Sequence, residues 1–269
     1  MRNLFAGLVF CGALGVLGCA GSRPVPLAEA DVYYQKGLKD LKRERCLDAV
    51  TNFQKVVSNY PGSPLVADAQ YYLAESQFCA KDYVNAVFEY QRLVDTYPTS
   101  EWLDEAQYQL GESYFKQLRR PELDQKETRE ALNYYRYFLD DNPDSPLAEK
   151  ARQRVVECRS RLAQKQYLAG DLYQRQGHLE AATMAYQDVL SDYSDTPWYY
   201  QTLVRLGEID RAQGDETAAR GRWDEVLKDA TDGKVKAQAQ KLLSQPPATH
   251  PQPRKQTGAP VGNPTTTAP

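Results

Sequence analysis

Five cysteines and two histidines are the residues in this chain best suited to carry chemistry: Cys11, Cys19, Cys46, Cys79 and Cys158, with His178 and His250. A zinc site needs four such ligands at close, characteristic spacing, and no Cys-x-x-Cys pair or Cys/His cluster provides it. No metal ligand set and no cofactor follow from these residues. No phosphate-binding Walker loop, no Gly-x-Ser-x-Gly elbow and no His-Glu-x-x-His helix occurs. The adjacent carboxylates Asp140 and Asp141 precede Asn142-Pro143 at the expected end of a helix, where a solvated surface is the simpler reading than acid–base work. Gly111-Glu112 and Gly207-Glu208 read as packing glycines followed by exposed acids. The chain therefore reads as a non-enzyme.

One cysteine stands in a processing context. Met1-Arg2-Asn3 is short and weakly positive, Leu4 to Leu17 is apolar with small residues interspersed, and Val16-Leu17-Gly18-Cys19 follows. That is the layout of a secretory signal peptide over residues 1–18. The apolar run of about 14 residues falls short of the roughly 20 that span a bilayer as a helix. Aliphatic–x–small–Cys resembles the bacterial lipobox, and the resemblance implies a diacylglycerol thioether on Cys19. Cys11 is a poorer candidate because bulky Phe10 precedes it. Ala20, where an inner-membrane retention signal would have Asp, points to the outer membrane. Residues 19–28, with Pro24 and Pro26, form a tether. Lysines and arginines number 33 against 36 aspartates and glutamates, which gives no case for nucleic acid.

The rest of the chain repeats. Tyr60-Pro61-Gly62-Ser63 returns as Tyr97-Pro98-Thr99-Ser100, as Asn142-Pro143-Asp144-Ser145 and, worn, as Tyr193-Ser194-Asp195-Thr196. Four residues separate a small residue from a ring in Ala49/Phe53, Ala86/Tyr90, Ala131/Tyr135, Ala182/Tyr186 and Ala219/Trp223. This spacing places both on one helix face. A second small residue stands twelve earlier at Gly37, Ala74, Gly170 and Gly207, with Gly111 displaced by an insertion. Small–x11–small–x3–aromatic–x7–Pro resembles the tetratricopeptide repeat, a helix–turn–helix unit. The fold class is all-α: a superhelical array of about five repeats over residues 29–244. A short last helix from Val235 to Leu243 caps it, and a Pro/Thr-rich tail over residues 245–269 is expected to be disordered.

Two irregularities stand out. Eight extra residues near Leu118 to Gln125 interrupt repeat three. Pro121 is expected to break helix A there, and Asp124 with Glu127 to form a capping box for the next helix. Repeat four is lengthened without a breaker, which predicts one long A helix from Pro146 to Gln176. Three residues before the small site, Tyr34, Tyr71 and Tyr108 recur; they read either as a peptide-binding trough on the concave face or as inter-helix core. Four after it, Leu41, Phe78 and Phe115 read as core. In an exported chain cut before Cys19, the three remaining cysteines, Cys46, Cys79 and Cys158, make one pair and one orphan. Cys46, at the start of helix B of repeat one, and Cys79, at the end of helix A of repeat two, fall at one edge and form the candidate disulfide. Cys158 then stays a buried thiol.

Tyr114-Phe115-Lys116-Gln117, the insert ending Leu123-Asp124-Gln125, Asn142-Pro143-Asp144-Ser145, and Arg159-Ser160-Arg161-Leu162-Ala163 leading to Tyr173 and Gly177 are together similar to the BamD (YfiO) family. The resemblance implies a lipoprotein subunit of the β-barrel assembly machinery, on the periplasmic face of the outer membrane. It implies C-terminal repeats that hold a BamA-like barrel subunit. It also implies N-terminal repeats that receive the C-terminal strand of unfolded outer membrane proteins, which typically ends in an aromatic residue. Ser194, where proline is usual, and the Pro/Thr tail depart from the family pattern. A CpoB-like periplasmic adaptor, or another cell-envelope tetratricopeptide protein, is the alternative; the lipobox, the insert and the long helix set this chain apart from it.

Overall fold

The computed structural model describes residues 27–246. Cys19, the signal peptide, most of the tether and nearly all of the Pro/Thr tail lie outside them. Among the described residues there are eleven helices and no strand. They pair as α1 (Leu27–Lys42) with α2 (Cys46–Asn59), α3 (Val66–Cys79) with α4 (Tyr83–Thr96), and α5 (Leu103–Phe115) with α6 (Lys126–Asp141). Then come α7 (Ala148–Gln176) with α8 (Leu179–Asp192), α9 (Trp198–Gln213) with α10 (Glu216–Asp229), and α11 (Gly233–Ser244) at the end. Each helix packs on the next in sequence, and neighbouring A helices also touch. This is the tetratricopeptide architecture. None of these helices is long and apolar enough to cross a membrane.

The repeated residues make the repeated contacts. Ala49, Ala86, Ala131, Ala182 and Ala219 are fully buried, as are the rings four residues on. Each ring sits against the A-helix small site of its own repeat. A β-carbon at Gly37 would lie 2.7 Å from the Phe53 ring, one at Gly111 2.6 Å from Tyr135, one at Gly170 2.5 Å from Tyr186, and one at Gly207 2.4 Å from Trp223. These glycines are required by close approach.

Four of the five B helices end alike. The amides of Tyr60, Tyr97, Asn142 and Tyr193 each bond the carbonyl four back, and those of Ser63, Ser100, Ser145 and Thr196 then bond the carbonyl three back. Proline stops the helix in three copies by lacking an N–H and by restricting the residue before it. Ser194 gives the same turn without it. At the A–B turns, Gly177 (φ 82°) and Gly214 (φ 93°) adopt the left-handed conformation natural to glycine, whereas Glu44 (φ 56°) and Lys81 (φ 62°) occupy the same register with side chains.

The two irregularities are one feature. α7 is a single helix of 29 residues, and it reaches the insert of repeat three. Arg161 Nε donates to the carbonyl of Arg119 at 2.9 Å, and Lys165 Nζ to that of Leu123 at 2.8 Å. The extra turns of α7 thus satisfy carbonyls that the irregular insert leaves free. Three expectations need correction. α5 ends at Phe115, before Pro121 is reached. The residue that starts α6 is Gln125, with no side-chain cap; its amide turns back onto the carbonyl of Arg120 at 2.8 Å, and Asp124 instead pairs with Arg129 at 3.2 Å. The capping box is absent because Asp124 sits one residue too early. The last helix also starts earlier than expected, at Gly233, where Asp232 accepts from the Lys234 amide at 2.8 Å.

Cys46 and Cys79 are joined as a disulfide, with their Cα atoms 5.7 Å apart. The bond ties the start of α2 to the end of α3. Cys158 is free and buried, its thiol pushed up to about 12 chiefly by that burial.

Candidate functional site

On the A-helix side, α3, α5 and the start of α7 enclose a pocket of about 310 Å³. Tyr71 and Phe78 line it from α3, Glu105, Tyr108 and Glu112 from α5, and Leu147 and Lys150 from the start of α7, with Lys116 just past the end of α5. Of the three recurrent tyrosines, all buried, two line this pocket. Tyr34 takes no part: its ring is buried edge-on against Phe53 and Tyr72, with centroids 5.8 and 6.1 Å away. Burial holds its hydroxyl up at about 12. Tyr71 and Tyr108 do line the pocket, but as buried rings. Tyr71 stacks on Trp102 with centroids 4.4 Å apart, and Tyr108 packs on Tyr135 and Phe138. Leu41, Phe78 and Phe115 are half-buried instead of fully enclosed, and Phe78 is the more open ring of the pocket.

Glu112, buried in the pocket wall, is paired with half-buried Arg154. Glu112 accepts from Arg154 Nε at 2.6 Å, Tyr135 at 2.8 Å and Tyr108 at 2.9 Å. Burial alone would raise its pKa. The three donors outweigh that, and the carboxyl is held below its ordinary value. Arg154 in turn lies over the Phe115 ring, 4.2 Å from its centroid. Reading Glu112 and Glu208 as exposed acids is thus also corrected: Glu112 is buried, and Glu208 is half-buried and paired with Arg205 at 3.0 Å.

The acid after the small residue has a common job. Glu75 accepts from Gln109 at 2.8 Å, Glu112 from Arg154, and Asp171 pairs with Arg205 at 3.2 Å. Each acid thereby takes a donor from the A helix of the following repeat, which fixes the register of the stack. The small–acid dipeptide recurs in the sequence and could have signalled this; its donors stand 34 to 42 residues away, and only the fold identifies them.

The pocket rim carries charge. Lys116 and Lys150 are exposed, and among the described residues neither has a carboxylate within ion-pair distance. Lys150 Nζ sits 5.3 Å from the Tyr108 ring centroid. The pocket can therefore take an apolar or aromatic group against Phe78, Tyr71 and Leu147, and an anionic group at its lysines. No cluster of metal-ligating side chains occurs among the described residues.

The family model for YfiO, described as outer membrane lipoprotein, matches residues 27–225. The chain belongs to the YfiO family. A curated relative, the outer membrane protein assembly factor BamD of Caulobacter vibrioides, is 25% identical over 201 residues. The match covers 73% of this chain and 66% of the relative, so the chain spans a little under two thirds of that protein's length. Among solved structures, a thermophilic tetratricopeptide-repeat protein of Thermus thermophilus is similar at 18% identity and a TM-score of 0.35. That likeness covers 80% of this chain and 98% of the other.

Proposed function

We propose that this chain is the lipoprotein scaffold subunit of a β-barrel assembly machinery, anchored through Cys19 to the periplasmic face of the outer membrane. Family membership carries the reading: the match runs from the first repeat into the last helix of the fifth, and takes in the insert and the long α7 that docks onto it. The chain binds and positions other proteins, and chemistry is not its task. Its C-terminal repeats hold a BamA-like barrel subunit. The turn between α7 and α8 offers an open concavity of about 590 Å³ there, bordered by half-exposed Tyr173.

The unfolded outer membrane protein is received in the α3–α5–α7 pocket. An aromatic C-terminal side chain fits against Phe78 and Leu147, and the terminal carboxylate meets Lys116 or Lys150. The proposed receiving site thus draws on the A helices of repeats two to four. A CpoB-like adaptor role would leave the insert and its contacts with Arg161 and Lys165 without a purpose.

The test is calorimetric titration with a ten-residue peptide copied from an outer membrane barrel's C-terminus, ending in phenylalanine. An exposed ion pair contributes about 1 kcal/mol, so amidating the peptide's terminus should weaken binding roughly fivefold. That difference should vanish in the Lys116→Ala/Lys150→Ala double variant. Equal affinity for acid and amide would exclude the pocket as a receptor for chain ends.

A further inference from the structure

The pocket is electrically polar along α5, and this polarity sets how a chain lies in it. At the N-terminal end of α5 stand Glu101, Asp104 and Glu105; just beyond its C-terminal end stand Lys116, Arg119 and Arg120. Glu105 and Lys116 line the same pocket. Eleven residues separate them, about 16 Å at the helical rise, which is the length of about five residues of extended chain.

Glu105 has a second property. One of its carboxylate oxygens, Oε2, is withdrawn from water and meets no N–H or O–H donor of another residue among the described residues; the hydrogen-bonding Asp104 carboxyl beside it, and then burial, raise the Glu105 carboxyl above its ordinary value. Its neighbour Asp104 is already engaged, accepting from Ser145 Oγ at 3.1 Å. A buried acceptor left unpaired is destabilising and uncommon in a folded protein. The terminal torsion of glutamate is soft, and Glu105 lines the pocket.

We propose that Glu105 is a specificity-determining residue for the bound segment. It takes a basic side chain about five positions before the segment's C-terminus, so that the chain lies parallel to α5 with its carboxylate end at Lys116. This rests on the reading of the pocket as the receiver of a chain end. The partner chemistry is an extended peptide with a cationic residue upstream and a free carboxylate at its end. Acid at one end and base at the other reject the reversed direction, because like charges would then meet at both ends.

A charge-swap titration with the full-length protein tests the proposal. Three phenylalanine-terminated ten-residue peptides carry lysine, alanine or glutamate at the fifth position from the end. The lysine peptide should bind the native protein about tenfold more tightly than the glutamate peptide, the scale of one charge-assisted hydrogen bond. Glu105→Gln should abolish most of that preference, and Glu105→Lys should invert it. The thermal midpoint of Glu105→Gln should be unchanged or raised, because a residue that merely held the fold would lower it. Equal binding of the three peptides by native protein, or a preference that survives both substitutions, overturns the role of Glu105 and leaves the pocket reading standing. Absence of binding by every peptide overturns both.

Discussion

Replacing Gly207 with alanine sets two known effects against each other. Gly207 lies inside α9, where alanine is favoured over glycine by about 1 kcal/mol through helix propensity. Its added β-carbon would lie 2.4 Å from Trp223 Nε1 and 2.7 Å from Cε2, where ordinary contact begins at 3.4 Å. The indole must therefore retreat by about 1 Å, and it is fully buried. Its Nε1–H donates to the carbonyl of Val204 at 3.2 Å, and the Arg211 guanidinium covers its face at 4.3 Å from the ring centroid. Overpacking of this kind costs about 1–3 kcal/mol, and loss of the indole bond adds about 1 kcal/mol. The penalty outweighs the propensity gain, and the variant should be destabilised by about 1–3 kcal/mol. Gly221 is the control: it sits in α10, exposed, with nothing within 4 Å of an added β-carbon. Gly221→Ala should be stabilised by up to about 1 kcal/mol. Urea denaturation followed by circular dichroism at the helical band should move the two midpoints in opposite directions. Midpoints that both rise would refute the account of glycine and ring as one packing unit.

Lys81→Gly should stabilise the array by about 1 kcal/mol, because Lys81 holds a left-handed conformation that glycine adopts in the same register at Gly177 and Gly214; a lower denaturation midpoint would contradict this. Glu112→Ala leaves Arg154, Tyr108 and Tyr135 without their acceptor and should cost about 3 kcal/mol, read by the same melts. Because the folded protein holds Glu112 below its ordinary value of 4.5, its stabilisation is complete above that value and is lost as pH falls through the lower, folded one. Native protein should therefore lose stability on acidification more steeply than Glu112→Gln, and equal slopes would sink this assignment. Opening the Cys46–Cys79 bond with reductant releases a loop of sequence separation 33; loop entropy sets the loss at roughly 3–4 kcal/mol, and a melt insensitive to reductant would show that the bond does not brace repeats one and two.

The architecture was legible because a repeat presents the same local physics several times. Proline and serine mark three of the B-helix ends, and alanine with a ring four residues later marks each packed face. Even the two insertions could be placed from the broken period. That they form one contact could not, because Arg161 and Lys165 look like any solvated lysine or arginine until α7 brings them beside the carbonyls of Arg119 and Leu123. The pocket was legible only in part. Tyr71 and Tyr108 were singled out by their recurrence, but so was Tyr34, whose surroundings differ because repeat one has Leu38 where later repeats have an acid. Glu112 and Glu105 escaped notice because an acid on an A helix reads as surface. The partner of buried Glu112 is Arg154, 42 residues on, and Glu105 shows itself only as a lining residue of a pocket that three repeats build together.

The central claim is that unfolded outer membrane proteins enter this array between α3, α5 and α7. Site-specific photo-crosslinking in living cells tests it most directly. A photoreactive phenylalanine analogue replaces Phe78 in the pocket or, as a control, Met184, which is 68% exposed on α8; captured proteins are identified by mass spectrometry. The account predicts that position 78 captures newly exported outer membrane barrel proteins, that position 184 does not, and that Lys116→Glu reduces capture at 78. Capture of barrel proteins at 184 and none at 78 would contradict it.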